Sequence, residues 1–272
     1  MATSTLAAVD IANMALRMLG DDALTPAEFT ANTLRRAQIA NQFYASVRDA
    51  TLADHPWNFA MKRSTRFAYE APMATLTPGA GAMTEGAEGI QFTTSSAIWT
   101  TADVGRQIWE NSTTPGAATI TDFVSSTIVT ATIDQAFGSL AAMAEDFWLL
   151  YYEYPTWGFE YAVALPDDCL RVWRIEGNPD YRVVGPYIHV DMEQLNVEFI
   201  RQETDTTRFT FQFVQALSTH LAAILAEPIT GQNAKAELFM KKYQMLLSRA
   251  KSLDGQEGTP EVLESNALID VR

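Results

Sequence analysis

Apolar positions fall at helical spacing at both ends of the chain and at alternating spacing between them, which predicts helices, then strands, then helices. Leu6, Val9, Ile11, Met14, Ala15, Met18 and Leu19 cover most of a first helix and leave Asp10, Asn13 and Arg17 as one polar stripe. A helix so widely apolar is buried on more than one side, in a core or between subunits. Thr3, Ser4 or Thr5 can cap its start, and Gly20 stands where a glycine stop belongs. Thr25-Pro26-Ala27-Glu28 reads as a capping box with proline at the first helical position. The helix it opens is expected to run to about Ala53, because His55-Pro56 forces an end; Ile39, Ala40, Phe43, Val47 and Ala50 form its stripe. Near the other end, Asp205 is expected to cap a helix carrying Val214, Leu217, Leu221, Ile224 and Leu225, which Glu227-Pro228 ends. Thr230 then opens a last helix with Phe239, Tyr243, Leu246, Ala250 and Leu253 on one face. Lys241, Lys242, Arg249 and Lys251 suit the dipole of its C-terminal half.

The middle of the chain has a different period. Residues 57–70 mix aromatic and basic side chains and predict a short helical turn leading into a strand. Residues 71–89, rich in Gly, Ala, Pro and Thr, read as a loop or linker. Segments 118–121 and 127–133 alternate at period two, with 122–126 as the connection of a hairpin, so 88–140 reads as an inserted small β module. Further strands are expected at 148–154, 170–175, 181–184, 187–190 and 197–200, with turns at Asn178-Pro179-Asp180 and Gly185-Pro186. Neither helical pair can bury its stripe alone, so the economical arrangement packs one pair on the other. The expected fold is α+β: a four-helix core and an antiparallel β region (1–75 with 145–253), a barrel-like insertion (88–140) and an extended C-terminal tail (254–272). Val262, Leu263, Leu268, Ile269 and Val271 are too apolar for a tail that only solubilises, and such a segment docks on a partner.

Composition narrows the functions. With 272 residues, 47% hydrophobic and 19% charged, the chain has the makings of a folded protein, not a disordered one. A net charge of -14 repels nucleic acid and argues against DNA reading. The single cysteine, Cys169, excludes an intramolecular disulfide and a cysteine-built zinc site. Three histidines leave little for a metal, and no cofactor is expected. No apolar run approaches the roughly 18 residues of a membrane span, and the start lacks the basic residues of a secretory signal.

The search for chemistry yields weak candidates. Phosphate-loop, dinucleotide, zinc-protease and nucleophile-elbow motifs are absent. Asp167 and Asp168 are adjacent carboxylates, but hydrolytic pairs face a common bond from some distance, and neighbours in a turn point apart. Cys169 needs a base to act as a nucleophile and otherwise reads as a small core residue. His55, His189 and His220 share no ligand spacing. The aromatics at 148–157 have the composition of a sugar-binding surface, and equally of a buried sheet or subunit interface. Lys62, Arg63 and Arg66 form a local basic group that could meet phosphate, or else a solvated face or ion pairs to a neighbouring subunit.

Several stretches together carry a resemblance. Ala12-Asn13-Met14-Ala15-Leu16-Arg17-Met18-Leu19-Gly20, the run Tyr44…Arg48-Asp49…His55-Pro56-Trp57-Asn58-Phe59-Ala60, Leu165-Pro166-Asp167-Asp168-Cys169-Leu170-Arg171-Val172, Val197-Glu198-Phe199-Ile200 and the closing helical pair resemble the head-to-tail adaptors of short-tailed phages. That family includes the tail tubular protein A and the tail accessory factor. The match covers 4–70 and about 148–255 in order, and the second and third of these runs are its most specific part. The insertion, with Trp99-Thr100-Thr101-Ala102-Asp103-Val104-Gly105-Arg106-Gln107-Ile108 followed by 116–121, resembles a small β module of phage structural proteins. The plain adaptor lacks it.

The resemblance implies a virion protein at the portal vertex, assembled in host cytoplasm and without enzymatic activity. It implies a ring homo-oligomer of twelve copies that docks under the portal protein, extends the DNA channel and receives the tail nozzle protein. DNA would pass without sequence-specific binding, past an acidic lumen. Val262, Leu263, Leu268, Ile269 and Val271 are the expected portal-binding residues, and Met14, Met18, Lys62, Arg63 and Arg66 the expected subunit contacts. Two other readings compete. One is a carbohydrate- or receptor-binding tail protein built on the insertion and the aromatics; the other is a tail-associated hydrolase using Asp167, Asp168 or Glu153.

Overall fold

The computed structural model describes residues 6–81, 83–113, 115–138, 141–152 and 158–257. The chain runs through α1 (Ala8–Leu19), α2 (Pro26–Ala31) and α3 (Arg35–Ala53) into β1 (Met61–Phe67), β2 (Tyr69–Glu70), β3 (Leu76–Pro78) and β4 (Ile90–Thr94). It continues through β5 (Gln107–Glu110), β6 (Ala117–Ser125), β7 (Ile128–Gln135), β8 (Trp148–Tyr151), β9 (Tyr161–Ala164) and β10 (Cys169–Ile175). Last come β11 (Tyr181–Val184), β12 (Tyr187–Val190), β13 (Gln194–Arg201), α4 (Phe211–Thr230) and α5 (Asn233–Gly255). The fold is α+β. Its strands form sheets ordered β1-β13-β10, β11-β12-β9 and β2-β8-β5-β6-β7-β4-β3.

Two compact units divide the chain. A helical unit holds Met1–Lys62, Asp168–Trp173 and Phe199–Arg272; a β unit holds Arg63–Asp167 and Arg174–Glu198. Residues 63–75, 145–167 and 174–198, grouped with the helices from sequence, therefore fall in the β unit; among them, β8 hydrogen-bonds to β5 and β2 in the seven-stranded sheet.

In the helical unit, α1, α3, α4 and α5 contribute to one apolar cluster around Leu16, Leu52, Trp57, Phe209, Phe213 and Leu221, all fully buried. Gly20 ends α1 in the left-handed region (φ 86) as expected, while Ala7, not a Thr or Ser, is the cap, its N–H held by the Asp10 carboxylate at 2.8 Å. Thr3, Ser4 and Thr5 lie outside the described residues. The capping box at Thr25 and Glu28 is present, but the helix it opens stops after six residues. Asn32 takes a left-handed conformation (φ 54), and Asn41 on α3 donates to the Phe29 carbonyl at 2.8 Å. Asparagine tolerates that region, so the long helix expected from 26 to 53 is two helices with a turn between.

Three more boundaries differ from expectation. Asp205 caps only a 3-10 turn, and Thr210 caps α4 by accepting from the Phe213 N–H at 3.3 Å. Pro228 lies inside the last turn of α4, where the Thr230 hydroxyl donates to the Ala226 carbonyl and Gly231 (φ 68) makes the stop. Thr230 therefore ends α4 instead of opening α5. The last helix reaches Gly255 and so includes Asp254, the first residue assigned to the tail.

The β unit has its own core of Leu76, Phe92, Ile108, Ile120, Val129, Ile133 and Trp148. The 71–89 stretch is not a plain loop: β3 pairs with β4, and Ala74, Leu76 and Met83 are buried. The β6–β7 hairpin turns at Ser126-Thr127, and 122–125 stay in β6, because register shifts let the strand continue past Ile120 and Phe123. Strand β9 was not legible from periodicity. It pairs with β12, and β12 pairs with β11 across the Gly185-Pro186 turn (Gly185 φ 56).

Candidate interaction surfaces

The motif run of the helical unit is a joint. After α3, Trp57 is fully buried; its ring meets Phe213 edge-on at 5.1 Å and its indole N–H donates to the Thr51 carbonyl at 3.1 Å. Phe59 packs on Phe209 and Phe213. His55 Nε2 lies 3.1 Å from Asp254 Oδ2, and the same carboxylate accepts from the Asn58 backbone N–H at 3.2 Å. Asn58 Nδ2 donates to the Asp254 carbonyl at 2.8 Å. The segment entering β1 is thus tied to the end of α5.

A polar cluster lies beside this joint. His220 on α4 stacks on Tyr243 of α5 with ring centroids 4.1 Å apart. Its Nδ1 is 2.9 Å from the Thr51 hydroxyl, and the Tyr243 hydroxyl donates to Asp54 at 2.6 Å. Burial lowers the His220 pKa, opposed in part by the Asp54 charge. Burial and the hydrogen bond to Asp54 raise that of Tyr243. The group is a satisfied packing network.

The second motif run supplies strand and turn. Asp168 pairs with Lys62 at 3.1 Å and its carbonyl accepts from the Gln202 N–H at 2.6 Å; Asp167 is exposed. Cys169 is half-buried, and burial raises its thiol pKa against a smaller lowering by the Arg171 backbone N–H. Such a thiol keeps its proton at neutral pH, the wrong state for a nucleophile.

In the β unit, Arg106 from the insertion's motif is the clasp. Its guanidinium donates to Asp103 (2.8 Å), Glu70 (3.2 Å) and the carbonyls of Tyr151 and Leu150 (3.2 Å each), and it lies over the Tyr152 ring at 4.4 Å. Asp103 also accepts from the Thr100 N–H and hydroxyl. Of the aromatics read as a sugar platform, Trp148, Tyr151 and Tyr152 have partners within the β unit. Trp148 is fully buried; the Tyr151 hydroxyl donates to Glu193 and that of Tyr152 to Glu70. Burial and the Glu70 bond push the Tyr152 pKa up to about 12. Glu153, Tyr154 and Trp157 lie outside the described residues.

The β unit also presents an open groove of about 680 Å³ on β1, β10 and β13. Across it Arg63 and Arg174 each take one oxygen of Glu198, at 3.0 and 3.3 Å. A second rung runs from the Thr65 hydroxyl to Asn196 (2.7 Å) and from Asn196 to Glu176 (2.6 Å). These cross-strand rungs were not anticipated, because only strand register brings their members together.

The expected subunit contacts each have partners within their own unit. Met14 and Met18 are half-buried against the helical cluster, Lys62 and Arg63 are paired as above, and Arg66 donates to the carbonyls of Ala164 and Leu165. Val262, Leu263, Leu268, Ile269 and Val271 lie outside the described residues. Among the described residues, no group of three or more His, Cys, Asp or Glu could hold a metal, and no helix is long and apolar enough to cross a membrane. No protein-family model matches the chain, and no curated protein matches it significantly.

Proposed function

We propose that this chain is a structural assembly protein: a head-to-tail adaptor of a short-tailed phage that docks as a ring under the portal, extends the DNA channel and receives the tail nozzle. In this reading α1, α3, α4 and α5 form a four-helix core, the strands carry a barrel-like insertion, and the residues after α5 form an extended portal-binding tail.

The observation that supports it most is how the motif residues are used. Trp57 and Phe59 are consumed in packing on Phe213 of α4, His55 and Asn58 in binding Asp254 at the end of α5, and Asp168 in an ion pair. A motif spent on seating helices fits a scaffold repeated around an axis better than a reactive cleft. The test is to mix the full chain with portal protein and weigh the product. A complex with matching copies of both is expected, and deletion of residues 256–272 should weaken it while leaving the helical signal intact. A portal left unoccupied at saturating chain would overturn the reading.

A further inference from the structure

The outward face of α5 stands out in so acidic a protein. Leu238, Lys241, Met245, Arg249 and Ser252 follow one another at spacings of three and four, so they form one continuous stripe, with Lys242 at its margin. Leu238 is 62% and Met245 74% exposed, among the most exposed large apolar side chains described. Lys241, Lys242 and Arg249 are exposed and make no ion pair among the described residues. The only acid on the outward side, Glu237, sits at its edge. A stripe that is basic and apolar at once calls for a partner that is acidic and apolar at once.

The chain itself contains such a segment. Residues 261–271 carry Glu261, Glu264 and Asp270, no basic residue, and Val262, Leu263, Leu268, Ile269 and Val271. They follow α5 by a few residues, and Gly258-Thr259-Pro260 between has the chemistry of a chain reversal. Reach is sufficient: eleven residues span up to about 36 Å extended, against roughly 34 Å for the 23-residue helix. The spacing fits too. Leu263 and Leu268 can lie between about 8 Å (helical) and 17 Å (extended) apart, which brackets the roughly 10 Å between Met245 and Leu238 on α5.

We infer that segment 261–271 folds back on the α5 of its own chain, with Glu261 and Glu264 against Arg249, Lys241 and Lys242, and its leucines on Met245 and Leu238. This latch does not rest on the adaptor reading. It keeps a sticky stripe and a sticky tail mutually covered until a competing surface takes one of them.

The test uses the full chain with Cys169→Ala, Ser248→Cys beside the stripe on α5 and Ser265→Cys in the segment. Mild oxidation of a dilute sample should give an intrachain disulfide at a rate several-fold above that of a control pairing Ser265→Cys with Ser46→Cys on α3. Adding 0.5 M salt, or Glu261→Lys with Glu264→Lys, should cut that rate several-fold, because both weaken the charge match. Equal rates for the two pairs, an unchanged rate after charge reversal, or disulfides formed only between chains would each overturn the latch.

Discussion

In the helical unit Asp254 is a charged side chain that holds remote segments together; in the β unit Arg106 is another. Asp254 is 7% exposed and gathers His55 and the Asn58 N–H at the end of a helix. Arg106, with its side chain 12% exposed, reaches two carboxylates and two strand carbonyls. The difference lies in what surrounds each charge. A carboxylate in the last turn of α5 opposes the helix dipole, which costs about 0.3–1 kcal/mol, and only its donors offset this. The guanidinium has an acceptor for each of its donor groups, and Asp103 beside it is slightly more buried than it is, at 10% side-chain exposure.

The largest effect should therefore come from Arg106→Ala, which leaves Asp103 without its cation and takes one donor from each of two strand carbonyls. A loss of about 3–5 kcal/mol from the β unit is expected, as for other broken buried pairs. Urea unfolding followed by tryptophan fluorescence, alongside helical circular dichroism, checks this. The fluorescence transition should move to lower urea and the helical one should move less. Equal movement of both would show the two units to be one cooperative block.

Asp254→Ala should do less. The hydrogen bonds it removes involve a charged acceptor and are worth about 1.5–3 kcal/mol, but the dipole conflict is relieved at the same time. A net loss of about 1–2 kcal/mol, read in the helical transition, is expected. A loss as large as that of Arg106→Ala would mean that Asp254 does more than join two segments.

The two clamps also mark what the sequence could reveal. Helix stripes, the Thr25 capping box, the Gly20 stop and the strands of 170–200 were legible because each depends on neighbours in the chain. Asn32 was not: its left-handed turn is fixed by Asn41 reaching back from α3. Strand β9 was hidden because Tyr161–Ala164 shows no clean alternation and gains its identity from pairing with β12. Arg106 stood in a recognised motif, yet its partners Glu70, Leu150 and Tyr151 are decades of residues away and only the sheet brings them near. Of the candidate surfaces, the basic cluster at 62–66 was visible, but its carboxylate partners Asp168 and Glu198 were not.

A gentler contrast concerns pH. The His220 pKa is lowered by burial, so the folded helical unit favours the neutral ring. Its contribution is intact above the unfolded value, near 6.5, and is lost as pH falls through that value until the folded pKa is also passed. Urea midpoints at pH 7.5 and 5.5 should show the helical transition weakening on acidification, and His220→Gln should flatten that dependence. An identical slope in the variant would place the acid sensitivity on another group.

The smallest effect belongs to the rung across β1, β13 and β10. Arg63 is 80% exposed at its side chain, and Glu198, at 18%, keeps Arg174 when Arg63 is gone. An exposed pair of this kind contributes about 0–1 kcal/mol, and salt screens it further. Arg63→Ala should thus shift the melting temperature by no more than about 2–3 °C, and the shift should vanish at high salt. The same substitution tests whether the groove is more than a folded surface. If Arg63 is a subunit contact, as its place in the basic cluster suggested, the variant should melt normally and yet fail to complete the complex with portal. Normal melting with normal assembly would remove Arg63 from the interface and leave the rung as sheet register alone.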